Sequence, residues 1–227
     1  MRTHHKLIFA ALTATMLLAI GIGAASARSL RVNERNFEFI WSEAFGAPKT
    51  KFEFIARNPG INVQCRVTLL GSFTESTIKK ETSITQGNIF HGELESCTNG
   101  TAEFIITEPP TPWPIRYRSF SGTLPRIRSA TIGILGAAAR IREPGGNECE
   151  ITSEVGMPLV GILGNSAQAA ETGLETTGEP ENVTAERGNR IRLRGGFLCA
   201  FAGEGEAGGI GLVRNLPRTA KIRITLI

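Results

Sequence analysis

Apolar residues return at every second position in one short segment after another, and this period of two constrains the fold more than any other feature of the chain. In "NFEFIW" Phe37, Phe39 and Trp41 share a face, and in "KFEFIAR" Phe52 and Phe54 do. "NVQCRVTL" places Val63, Cys65, Val67 and Leu69 on one side, "GGFLCAF" groups Phe197, Cys199 and Phe201, and "AKIRITLI" sets Ile222, Ile224 and Leu226 against Lys221, Arg223 and Thr225. Breaks rich in Gly, Pro and Asn, such as "RNPGIN", "CTNGTA" and "REPGGNE", separate the runs. Successive side chains of a strand point to opposite faces, so these runs read as half-buried strands. Many such strands with turns between them predict an all-β fold, an antiparallel β-sandwich or Greek-key barrel. Residues 166–188 differ: polar, acidic and without a sustained period, they read as a long surface loop with one short helix near 167–171.

The strands begin only after a different kind of segment. Arg2, His4, His5 and Lys6 precede an apolar run from Leu7 to Gly23, which closes on Ala25, Ser26 and Ala27. That order of charged, apolar and small residues is the pattern of a secretory signal peptide, cleaved after Ala27. The expected product, residues 28–227, is long enough for one sizeable core, and a single all-β domain is the expectation. It is secreted or held at the cell envelope, with no stable membrane insertion. The formal net charge of +4 owes two charges to Arg2 and Lys6 in the leader, so the exported part is nearly balanced and nucleic acid is disfavoured as a partner.

Cys65, Cys97, Cys149 and Cys199 all lie in the exported part, where disulfides persist. Three pairings are possible; Cys65 with Cys97 and Cys149 with Cys199 is favoured because each bond would then staple one half of the chain. The spacings are wide and contain no Cys-x-x-Cys, which argues against a zinc site.

Catalytic chemistry finds little material. The exported part has one histidine, His91, and no Asp, which excludes a Ser-His-Asp triad and leaves only a Glu-oriented variant. Multi-His metal sites and Asp-built calcium loops are excluded by count, and no cofactor is expected. "GEGEAG", Gly203 to Gly208, matches Gly-x-Gly-x-x-Gly, but the continuation "GIGLV" reads as strand rather than the helix a dinucleotide site needs. Two glutamates could still hydrolyse a glycosidic bond, so a glutamate-dependent carbohydrate hydrolase stands as the alternative to a non-catalytic binding or structural domain. A small outer-membrane barrel is a second alternative, weakened by the single Tyr and two Trp available for aromatic girdles.

Binding chemistry is better represented. In "PPTPWPIRYRSFSGTLPRIR" Trp113, Ile115 and Tyr117 share parity, while Arg116 and Arg118 take the other face. The prolines argue for an edge strand or the first residues of one, with "SFSGTLP" a tight turn centred on Gly122. Trp113 and Tyr117 are either core or an aromatic contact surface, and core is the simpler reading. Arginines recur two apart at Arg116 and Arg118, Arg126 and Arg128, Arg140 and Arg142, and Arg190, Arg192 and Arg194. An exposed face built from Arg116, Arg118, Arg190, Arg192 and Arg194 would suit an anionic envelope polymer or polysaccharide. The competing reading pairs these rows across strands with Glu93 and Glu95, Glu148 and Glu150, or Glu204 and Glu206.

At "PWPIRYRSFSGTLPRI", "CRVTLLGSFTESTIKK" and "GGFLCAF" the chain resembles a set of short exported actinobacterial proteins of unassigned activity. The resemblance runs from about Cys65 to the C-terminus. It implies secretion and paired cysteines and carries no functional residues with it.

Overall fold

The alternation read from the sequence is carried out in the folded chain. On the strand Ile61–Phe73, Ile61, Val63, Cys65, Val67, Leu69 and Phe73 are buried, while Asn62 and Arg66 between them are exposed. The computed structural model describes residues 29–42, 51–56, 60–105, 112–121, 129–164, 177–178, 182–195, 199, 203–216 and 222–226. The leader (1–27), the helix expected near 167–171 and the turn at Gly122 lie outside these residues.

The strands are β1 (Ser29–Val32), β2 (Asn36–Trp41), β3 (Phe52–Ala56), β4 (Ile61–Phe73), β5 (Thr77–Lys79), β6 (Thr85–Thr98), β7 (Thr101–Phe104) and β8 (Trp113–Ser121). They continue as β9 (Ser129–Ile134), β10 (Ala138–Arg142), β11 (Glu148–Thr152), β12 (Leu159–Gly164), β13 (Thr177–Gly178), β14 (Asn182–Gly195), β15 (Glu204–Asn215) and β16 (Ile224–Leu226). Every ladder is antiparallel.

Ladders run β2–β4–β6–β8–β9–β12–β14–β15 and back to β2, closing a barrel of eight strands whose order follows the chain. The all-β antiparallel class therefore holds, and closure is by successive neighbours rather than a Greek-key crossover. Four long strands, β4, β6, β14 and β15, run the full height. The other positions in the wall are each shared by two shorter strands end to end. β2 and β3 both lie between β4 and β15, and β11 and β12 both pair with one side of β14. The half holding β2, β8, β9 and β12 is termed upper, and the half holding β3, β7, β10 and β11 lower. In the lower half β7 pairs with β10, and it follows β6 through Asn99 and Gly100, both at positive φ, without a ladder to it.

A small sheet, β13–β16–β1–β5, is attached where β2 begins and β4 and β15 end. Leu30, Val32, Ile78, Ile222 and Ile224 from this region join the barrel core, so the sheet caps the upper mouth. Eight strands enclose a space that side chains can just fill. Trp41 fills much of it because β15 offers glycine beneath the indole. A Cβ on Gly211 would lie 2.5 Å from the Ile40 carbonyl oxygen and 3.0 Å from the Trp41 ring, and the indole Nε1 donates to the Gly209 carbonyl at 3.2 Å. "GEGEAG" leads into this same strand, β15, and opens no helix.

The cysteines pair as expected, Cys65 with Cys97 across β4 and β6, and Cys149 on β11 with Cys199 just beyond β14. Residues 182–188, expected as loop, belong to β14. A register shift between Ala185 and Asn189 interrupts the period by which sequence reading detects a strand.

Candidate anion-binding face

Strand β8 answers the choice posed by its sequence. Trp113 (6 % exposed), Ile115 and Tyr117 (7 % exposed) point into the barrel, and Trp113 packs edge-on against Phe104 with centroids 5.1 Å apart. Burial raises the Tyr117 pKa from its ordinary value. β8 is not an edge strand, because it pairs with β6 on one side and β9 on the other. Its prolines are tolerated because they stand at its start, where Pro114 still accepts a hydrogen bond from the Leu135 amide at 3.0 Å. The aromatic pair is core, and the outward face of β8 carries Pro114, Arg116 and Arg118, with Ser119 and Ser121 exposed beyond them.

The arginine rows divide into two populations. Arg190 pairs with Glu204 at 3.4 Å, Arg192 with Glu154 at 3.3 Å, and Arg194 with the same Glu154 at 2.8 Å. Arg140 bridges Glu103 at 2.6 Å and Glu148 at 3.1 Å, and Arg142 also binds Glu148, which raises the pKa of its guanidinium. Arg66 meets Glu95 at 3.9 Å, and Arg214 meets the fully buried Glu38 at 2.7 Å. In the lower half the sign of the outward charges is set strand by strand: acidic on β6, β7, β11 and β15, basic on β10 and β14. Cross-strand pairing with glutamate therefore accounts for these rows. Glu154, in the turn between β11 and β12, was not anticipated as a partner; nothing in its spacing announces that it folds back over Arg192 and Arg194.

Arg116 and Arg118 are the exception. Among the described wall residues neither has a carboxylate within ion-pair distance, and the buried Nε of Arg116 has no hydrogen-bond partner. Across from Arg116 stand Thr85 on β6 and Gly133 on β9. A Cβ on Gly133 would lie 3.2 Å from the Arg118 Cδ and 3.3 Å from the Pro158 Cβ, so the Arg118 stem lies over the glycine. The five arginines expected on one face are therefore separated: Arg116 and Arg118 share the upper outer wall, and Arg190, Arg192 and Arg194 sit on β14 in ion pairs. Arg126 and Arg128 lie outside the described residues.

Three other places bear on function. A cavity of about 30 Å³ lies inside the barrel among Phe52, Phe54, Leu69, Phe104, Trp113 and Ile191. A surface depression of about 140 Å³ is lined by Thr101, Ala102, Glu103, Arg140 and Arg142, with one carboxylate, already paired. His91 is exposed on β6, its Nε2 3.0 Å from Glu93. Among the described residues no three His, Cys or Glu side chains converge as metal ligands, and no helix is long and apolar enough to cross a membrane. Comparison with protein families, curated proteins and solved structures returns no match.

Proposed function

We propose that the chain is an exported, non-catalytic barrel that holds an anionic group of a cell-envelope polymer on the outer wall at Arg116 and Arg118. The observation that carries this reading is the contrast within one wall: the rows on β10 and β14 are neutralised by glutamate, and the pair on β8 is not. Two disulfides suit an oxidising extracellular compartment. The interior supports an external site, because a cavity of about 30 Å³ has room for little more than a water.

The alternatives find less support. Glycoside hydrolysis needs two convergent carboxyl groups, and the wall glutamates Glu95, Glu103, Glu148, Glu154 and Glu204 are engaged by arginine on the outside of the barrel. A membrane-spanning barrel needs an outward apolar band about 25 Å tall. Outward apolar positions such as Val160 with Ile162, and Ile210 with Leu212, come two to a strand and span only about 7 Å, with charge rows below them.

The test is retention of the oxidised, exported protein on resins carrying polygalacturonate or polyphosphate. Wild type is retained at low salt and released toward physiological salt. Arg116→Gln/Arg118→Gln flows through, and Arg190→Gln/Arg192→Gln behaves as wild type. Equal retention of the two double variants, or no retention of wild type on either resin, overturns the proposal.

A further inference from the structure

Among the described residues the large hydrophobic side chains that remain exposed are Ile84 (37 %), Phe90 (50 %) and Val155 (72 %); Ile84 and Phe90 lie along or just before β6, the ladder partner of β8, and Val155 lies in the turn before β12. Ile84 immediately precedes Thr85, whose Cα partner is Arg116. Phe90 lies on the same strand beyond Asn88, the partner of Pro114. Val155 tops the turn closed by reciprocal hydrogen bonds between Glu154 and Met157, shortly before Pro158, whose Cβ, like the Arg118 stem, lies over Gly133. Phe90 is outward for a definable reason. The ladder between β4 and β6 slips between Leu70 and Gly71, where Leu70 pairs with His91 and Gly71 with Ile89, leaving Phe90 as the extra residue. Bulges re-aim side chains, and this one turns a phenyl ring toward water on the face that carries the unpaired guanidinium groups.

We infer that the ligand of this face is an acidic glycan, whose carboxylates meet Arg116 and Arg118 and whose sugar rings lay their apolar C–H faces on Phe90. The inference rests on the anion-binding reading above and adds the class of polymer. Charge complementarity selects an anion, and guanidinium groups match carboxylate geometry. From Ile84 to Phe90 the strand extends about 20 Å, which fits an extended chain better than an isolated ion. Thr85 and Asn88, between the two apolar ends, supply the neutral hydrogen-bonding groups that sugar hydroxyls need. A polyphosphate offers no apolar face, so it would use the arginines and ignore the ring.

The experiment is affinity electrophoresis of the oxidised protein through gels containing polygalacturonate or polyphosphate, with the wild type, Phe90→Ala, and Arg116→Gln/Arg118→Gln. The thermal midpoint of each variant is checked first, and Phe90→Ala should melt with wild type because the ring is half exposed. Phe90→Ala is expected to weaken polygalacturonate binding roughly fivefold, the loss of about half a phenyl burial, and to leave polyphosphate binding unchanged. The arginine variant loses both. If Phe90→Ala binds polygalacturonate as wild type does, or weakens both polymers equally, the glycan assignment is wrong while the anion site stands. If wild type is retarded by polyphosphate alone, the glycan assignment again fails. If neither polymer retards wild type, the anion site fails with it.

Discussion

The ion pair between Glu38 on β2 and Arg214 on β15 should respond unequally to loss of its two members. They are direct cross-strand partners 2.7 Å apart, and their burial differs sharply, with side-chain exposure of 1 % for Glu38 and 26 % for Arg214. Arg214→Leu removes an ion-pair partner from a carboxylate held away from water, and breaking a buried pair in this way costs about 3–5 kcal/mol. Glu38→Leu leaves an arginine whose head can reach solvent, and the loss should be nearer about 1–2 kcal/mol. The double Leu variant removes the buried charge together with its partner and should cost clearly less than Arg214→Leu alone. With a urea dependence of roughly 2 kcal/mol per molar, Arg214→Leu lowers the unfolding midpoint by about 1.5–2.5 M and the double variant by far less. Equilibrium urea denaturation followed by circular dichroism, with disulfides intact, measures all four corners of the cycle. Equal costs for the two single variants, or a double variant equal to their sum, would show that burial and coupling do not govern this pair.

Four further outcomes are expected. Cys149→Ala/Cys199→Ala, which opens a loop with a sequence separation of 50, should cost about 4 kcal/mol and lower the thermal midpoint by roughly 8–16 °C; an unchanged midpoint would mean the unfolded chain gains no freedom. Gly211→Ala forces a methyl against the Ile40 carbonyl and the Trp41 ring, and should cost about 1–3 kcal/mol in the same urea assay, with a change in the near-ultraviolet tryptophan signal. Glu154→Gln removes the carboxylate shared by Arg192 and Arg194 and should strengthen low-salt retention on polyphosphate resin; if it does not, pairing is not what silences that row. Tyr117, its pKa raised by burial, contributes stability that is complete below the ordinary tyrosine pKa of 10.0 and is lost as pH rises through the folded value. Tyr117→Phe should therefore flatten the decline of stability above about pH 10, measured by denaturation at stepped pH.

The strands were legible because a barrel with an apolar interior and a polar wall writes its geometry into period two, and β4 shows this without interruption from Ile61 to Phe73. Where the wall departs from regular pleating, the sequence loses its voice. Residues 182–188 of β14 read as loop because its ladder shifts register between Ala185 and Asn189. Phe90 gives no sequence signal because the bulge in β6 moves one residue out of phase with the strand beyond it. Bulges are set by the partner strand's register, which a single segment does not encode. The prolines of β8 leave a choice open in a different way: they mark the beginning of a strand as well as an edge, and only the pairing of β8 with both β6 and β9 separates the two.

The arginine rows test how far charge spacing alone can carry a functional argument. Arg116 and Arg118 have the same spacing as Arg140 and Arg142 or Arg192 and Arg194, and nothing within the three segments distinguishes them. What differs is the neighbour. β10 and β14 lie beside β11, which brings Glu148 and Glu150, and the turn after β11 adds Glu154. β8 lies between the early part of β6 and β9, which place Thr85, Asn88, Thr131 and Gly133 around its outer face. The acidic part of β6, Glu93 and Glu95, is spent on the β4 side, where Glu95 faces Arg66. Two positive charges thus stand on a wall whose other described arginines are paired, beside a glycine that leaves room over the sheet, with a phenyl ring turned out by a bulge farther along β6. An unpaired charge on a surface is ordinary; an unpaired pair beside exposed hydrophobic groups, in a wall that pairs its arginines elsewhere, is the composition of a binding surface.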